Sequence, residues 1–210
     1  MTARRSARIS SRKQPQQARS AELVAAILEA AVQVLEKEGA QRFTTARVAE
    51  KAGVSVGSLY QYFPNKAAIL FRLQSDEWQQ TSALLRGILA DAVKPPLDRL
   101  RALVHAFIRS ECDEARVRMA LDDAAPLYRD APEARKARTS GEGIVADFMC
   151  EALPGISDAT RAVAANLIAT TLSAAGKHFS ARPRKRAEID AYAEAMADMF
   201  CAYLRALAHG

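Results

Sequence analysis

With 210 residues, half of them apolar, the chain can bury a sizeable core, as one domain plus a small module or as two domains sharing that core. No stretch approaches the ~18 consecutive apolar residues of a membrane span, and the N-terminal arginines precede no apolar segment of the kind a secretory signal needs. The formal net charge is +6, but Arg4, Arg5, Arg8, Arg12, Lys13 and Arg19 lie in a leader without any acid, so the remainder of the chain is balanced. Aromatic residues make up only 6%, and the abundance of Ala, Leu, Arg and Glu leans helical.

Residues 1–19 read as a disordered basic arm, too polar to bury apolar area. It is either a phosphate-seeking arm or a solubilising leader. Leu23, Ile27, Ala30, Ala31, Val34 and Leu35 recur at helical spacing over 21–38, and Gly39 stops that helix. Thr44 caps a short helix over 44–52 with Val48 and Ala49 inward, and Gly53 ends it. Ser55 caps a third helix near 56–62, which Pro64 cannot continue. Asn65 caps a long fourth helix over 66–91, and Pro95-Pro96 breaks the chain again. Further helices are expected near 97–111, 113–121, 132–152, 157–181 and 187–208, about nine in all. Residues 122–131 are irregular and make the best candidate for a mobile loop.

Two short helices joined by Ala52-Gly53-Val54-Ser55 have helix-turn-helix dimensions. Gly53 permits the positive φ of a sharp reversal, Val54 plugs the gap between the helices, and Ser55 caps the next one. Helices this short do not stand alone, and the apolar stripe of 21–38 suits a back wall. A recognition helix must present small or polar groups near its N-terminus. Ser55, Val56, Gly57 and Ser58 are small, Leu59 and Phe63 point inward, Tyr60 and Gln61 are outward, and Tyr62 lies at the edge.

The stretch Thr-Thr-Ala-Arg-Val-Ala-Glu-Lys-Ala-Gly-Val-Ser-Val-Gly-Ser-Leu-Tyr-Gln-Tyr-Phe-Pro-Asn-Lys, residues 44–66, resembles the signature of the tetracycline-repressor (TetR) family. With the preceding helix, the resemblance covers residues 20–70; the rest is similar only in helix count and length. It implies an all-α protein: a helix-turn-helix DNA-binding domain over 20–66 and a helical ligand-binding and dimerisation domain over 67–210. It also implies that Thr45, Tyr60, Tyr62 and Lys66 touch phosphates while Ser55, Val56, Gly57 and Gln61 lie nearest the base edges. Thr44, Ser58 and Arg47 complete the candidate DNA-binding set. Arg42 and Arg47 read equally well as solvated charges, and the two tyrosines as partly buried core residues. Gln61 is the one side chain suited to a bidentate base contact, best matched to adenine, and Val56 suits a thymine methyl. Direct readout is thus expected to be sparse, with DNA shape or the arm supplying the rest.

One helix-turn-helix reads about one half-site, so a palindromic operator on double-stranded DNA calls for a homodimer. The resemblance places the dimer contact on the last two helices, where Val163, Leu167, Ala174, Tyr192, Met196, Met199, Phe200 and Tyr203 suit it. A wholly intramolecular core is the alternative. The intervening helices are expected to enclose a cavity for an unknown small-molecule effector. Trp78, Leu103, His105, Phe107, Met119, Leu121, Tyr128 and Phe148 are its candidate lining, though each also reads as ordinary core, and His105 as a satisfied core or surface residue. Asp122-Asp123 reads as a solvated loop rather than a cation site.

Cys112, Cys150 and Cys201 are widely spaced and odd in number, with no zinc-type spacing, and read as core fillers of a cytoplasmic protein. Neither a catalytic set nor a phosphate-cradling glycine loop is present, so no catalytic residue, metal or cofactor is expected. The expected function is ligand-responsive repression of transcription. The alternatives are a sequence-blind architectural DNA binder that relies on the arm, and a helical small-molecule binder without DNA function.

Overall fold

A computed structural model describes residues 9–10, 18–139 and 143–209. Ten helices and one 3-10 turn make up its regular structure: α1 Ala18–Arg42, α2 Thr45–Lys51, α3 Val56–Tyr62, α4 Lys66–Leu89, α5 Pro96–Asp113, α6 Ala115–Ala124, the turn Ala125–Leu127, α7 Pro132–Thr139, α8 Gly143–Ala152, α9 Asp158–Ser180 and α10 Arg186–His209. No strand occurs among the described residues. No helix among them is long and apolar enough to cross a membrane.

The chain forms two compact units, one of residues up to Trp78 with Arg116–Thr139, the other of Gln79–Ala115 with residues 140–210. The first unit therefore extends beyond the expected 20–66 domain. It takes in the first half of α4 as well as α6 and α7. Its core joins Ile27, Ala31 and Leu35 of α1 to Phe43, Val48, Leu59, Phe63 and Ile69, all essentially inaccessible to water. Burying a side chain of this kind stabilises by about 1.5–3 kcal/mol, which holds α2 and α3 in shape when their length alone cannot. Ile9 lies in the same core at 2% exposure, so the arm is not wholly without apolar burial as its composition suggests. Residues 1–8 and 11–17 of the arm lie outside the described residues.

Gly39 breaks α1 as expected, with φ 74°, but one further turn follows it to Arg42. Residues 122–131 do not form a free loop. Asp122 and Asp123 continue α6, because the chain stays helical up to Pro126. Beyond it, Tyr128 is 3% exposed and donates to the Leu121 carbonyl at 3.1 Å and to Gln74 Oε1 at 3.3 Å. Those bonds, with Ala131 and Ala134 buried, pin the segment to the first unit's core. Arg118 and Glu77 form a mostly buried ion pair at 2.9 Å, and burial lowers the Arg118 pKa. Of the helix expected over 132–152, α7 and α8 cover the parts on either side of residues 140–142, which lie outside the described residues.

In the second unit α5, α8, α9 and α10 surround Leu103, Val104, Ile108, Met149, Ala164, Ile168, Ala197 and Phe200. Gly176 lets α9 approach α5 closely: a Cβ there would lie 3.0 Å from Phe107 Cε1 and 3.1 Å from Glu111 Cγ, so those side chains would have to shift. One edge of α5 faces α10 through charged groups. Arg101 pairs with Glu194 and Asp198, His105 Nε2 lies 2.7 Å from Glu194, and Arg109 donates to Asp190 at 3.0 Å. That last bond holds the Asp190 carboxyl below the usual carboxylate range. Cys201 is buried and Cys112 half-buried, whereas Cys150 is exposed, on the outer side of α8, and fills no core.

Candidate nucleic-acid interface

The geometry between α2 and α3 follows from local chemistry. Thr44, in extended conformation, caps α2 by accepting from the Arg47 amide at 3.3 Å. The Gly53 amide donates to the Glu50 carbonyl and the Val54 amide to the Ala49 carbonyl, at 3.1 and 3.0 Å. The second of these bonds needs the reversal that Gly53 makes at φ 67°. Val54 packs against the core from the turn. Ser55 then caps α3, accepting from the Ser58 amide at 3.0 Å, with the two serine hydroxyls 2.8 Å apart.

Those caps divide the candidate residues by the work they already do. Thr44, Ser55 and Ser58 have their hydroxyls engaged in holding the helices. Val56, Gly57 and Gln61 form an exposed strip along α3, Val56 being 40% exposed. Tyr60 stands beside that strip, 38% exposed, and its hydroxyl meets that of Thr45 at 3.0 Å. Tyr62 differs from the sequence expectation. It is 8% exposed and belongs to the core, because it follows Leu59 by three residues and shares its face.

Lys66 opens α4, half-buried, directly after Asn65, whose Oδ1 accepts from the Ala68 amide at 2.9 Å. Arg47 is not a freely solvated charge. It pairs with Glu38 and donates to the Arg42 carbonyl at 3.1 Å, an arrangement that needs the end of α1 beside α2 and that sequence spacing does not reveal.

The residues expected to line one effector cavity fall into different places. Trp78, Met119, Leu121 and Tyr128 belong to the first unit; Met119 is 52% exposed, and Leu121 and Tyr128 are core. In the second unit, Leu103, Phe107 and Phe148 line a cavity of about 100 Å3 together with Leu85 and Leu89 of α4 and Ile168 and Leu172 of α9. His105, on the charged edge of α5, is held by Glu194 and is not among the lining residues. Sequence reading missed the α4 and α9 walls because their leucines and isoleucine look like any other core positions.

A helix-turn-helix head with capped recognition helix, carried on a chain with a separate helical core, defines the class of helical DNA-binding regulators. The chain belongs to the tetR family: it matches "Bacterial regulatory proteins, tetR family" over residues 27–73 and "Tetracyclin repressor-like, C-terminal domain" over residues 95–207, more than half its length. It is 39% identical over 83 residues to the nucleoid occlusion factor SlmA of Vibrio campbellii, and 37% identical over 83 residues to that of Photobacterium profundum. Each match covers 39% of this chain and spans only 42% of the relative's own length. Among solved structures, the fatty acid degradation regulator FadR of Bacillus halodurans has the same fold, with TM-score 0.69 at 18% identity over 91% of this chain and 99% of that one. The FadR of Bacillus subtilis, solved in complex with stearoyl-CoA, has TM-score 0.66 at 16% identity over 85% of this chain and 98% of that one. Likeness at these identities is one of fold.

Proposed function

We propose that the protein is a ligand-responsive transcriptional repressor that binds a palindromic operator as a homodimer. The observation that carries this reading is the outer strip of α3, where Val56, Gly57 and Gln61 are exposed while the caps and core of the head are complete. Small residues at the start of a recognition helix let its backbone approach the major groove. Gln61 supplies the bidentate donor and acceptor that reads adenine, and Tyr60, Thr45 and Lys66 are set to hold phosphates on either side.

The dimer contact is assigned to α9 and α10. Val163, Leu167 and Met199 are 64%, 48% and 50% exposed, an uncovered apolar set that Ala174 extends. Met196 and Phe200, expected from sequence to share in that contact, are instead buried within the chain's own core. The effector is assigned to the cavity of the second unit. Ligand there acts on the operator by favouring one spacing of the two heads, since both must dock together for tight binding.

Replacing Gln61 by Ala tests the readout. The variant keeps its fold and still binds duplex DNA, but loses preference at one position of each half-site, a discrimination of about 1–3 kcal/mol. An unchanged base preference contradicts the role given to Gln61.

A further inference from the structure

The chemistry of the effector can be read from the cavity itself, an inference that rests on the ligand-responsive reading above. We propose that the cavity of the second unit takes a small uncharged hydrocarbon group, a single six-membered ring or an alkyl segment of similar girth. Among the described residues the lining includes none with a charge, and the one polar side chain is Ser173. Leu103, Phe107, Phe148 and Ile168 present only carbon to the interior. A charged group placed there would leave water without gaining a partner, a cost that no contact with these walls offsets.

The charges of this region lie elsewhere. Arg86, Arg99, Asp147 and Glu151 line a neighbouring open recess that shares Leu89 and Phe148 with the cavity. Arg99 there is already committed, donating to the Leu89 carbonyl at 2.6 Å and pairing with Glu151. Its guanidinium lies 5.7 Å from the Phe148 ring centre, so the ring has the cation on one side and serves the cavity as a wall.

Size narrows the class further. At about 100 Å3 the cavity is well below the roughly 300–1,000 Å3 that enclose a drug-sized molecule. It is close to the scale, about 150 Å3, at which a dry apolar cavity takes up benzene. Ala169 and Ser173 are exposed members of the lining, which gives access and leaves any larger or polar part of the effector at that end.

The test uses the full chain, with toluene as the uncharged probe and benzoate as a charged ring of similar size. Methyl NMR reads Leu103, Val145 and Ile168, and thermal melting reads stabilisation. Toluene is expected to shift those methyls and raise Tm, with benzoate at least about tenfold weaker. Val145→Phe fills the cavity and abolishes the toluene response. Leu103→Ala enlarges it and admits naphthalene, which keeps the test decisive if the first variant fails to fold. Benzoate binding as tightly as toluene, or a toluene response unchanged in both variants, overturns the proposal.

Release of a bound operator duplex is followed in the same samples. Toluene in the cavity with the duplex still bound upholds the cavity chemistry and defeats the ligand-responsive reading. A charged compound that releases the duplex while no uncharged ring binds does the reverse.

Discussion

The hydroxyls of Thr45 and Tyr60 lie 3.0 Å apart, joining the first turn of α2 to the exposed side of α3. The bond orients two side chains assigned to phosphate contact, so the pair is expected to act as a unit. Tyr60→Phe removes one exposed hydrogen bond and costs less than about 1 kcal/mol of stability, but weakens operator binding roughly tenfold. In a double-mutant cycle with Thr45→Val, the two losses in binding should couple by about 0.5 kcal/mol or more. Strict additivity in titrations of a labelled duplex would refute the unit.

Ser55 offers a way to separate fold from recognition. Its hydroxyl accepts from the Ser58 amide at 3.0 Å as the cap of α3. Ser55→Ala should lower stability by about 1 kcal/mol, as loss of a helix cap does. Ser55→Asp keeps a capping oxygen and should restore stability, yet its negative charge beside the DNA backbone should weaken binding more than the alanine does. Melting curves and duplex titrations of the two variants should rank them in opposite orders.

These features were legible in the sequence because their causes are local. Thr44, Ser55 and Asn65 each accept from an amide three residues on, and Gly53 acts through its own φ, so their roles follow from local sequence alone. Non-local partners left no such trace. Nothing in the spacing of Arg47 reveals that Glu38 neutralises it, and one of the two hydroxyl bonds that pin Tyr128 reaches Gln74, far back in α4. Tyr62, read as lying at the edge of α3, is turned further than that, onto the buried face of Leu59. Leu103, Phe107 and Phe148 were legible as lining, but the α4 and α9 walls of the cavity escaped notice for a different reason: they come from helices widely separated in sequence, and apolar residues carry no mark that tells wall from core.

Arg99 and Glu151 form an ion pair with unequal burial, the side chains being 2% and 51% exposed. Removing either partner is therefore not equivalent. Arg99→Met leaves a carboxylate that water can solvate, and places a flexible apolar chain in the space. Glu151→Gln leaves the buried guanidinium without its counter-charge, and its Nε already has no hydrogen-bond partner. Chemical denaturation should find Glu151→Gln the more destabilising of the two, by about 1 kcal/mol or more. Equal losses, or a greater loss for Arg99→Met, would show that packing rather than charge burial governs the site.

The arm carries two separable properties. Ile9→Ala removes a core side chain and should cost about 2 kcal/mol or more of stability. Replacing Arg4, Arg5 and Arg8 by Gln should leave melting unchanged. It should also make DNA affinity less dependent on salt, the slope falling by nearly one for each phosphate that the arm no longer neutralises. A salt dependence identical to that of the parent protein would assign the arm a solubilising role only.

The central claim, a two-headed reader of DNA sequence, is tested most directly by selecting bound duplexes from a random pool with the purified protein at moderate salt. The account predicts a palindrome whose half-sites are separated by one helical turn or a multiple of it. Binding that recovers no common motif would contradict it and would make the protein a sequence-blind binder of DNA.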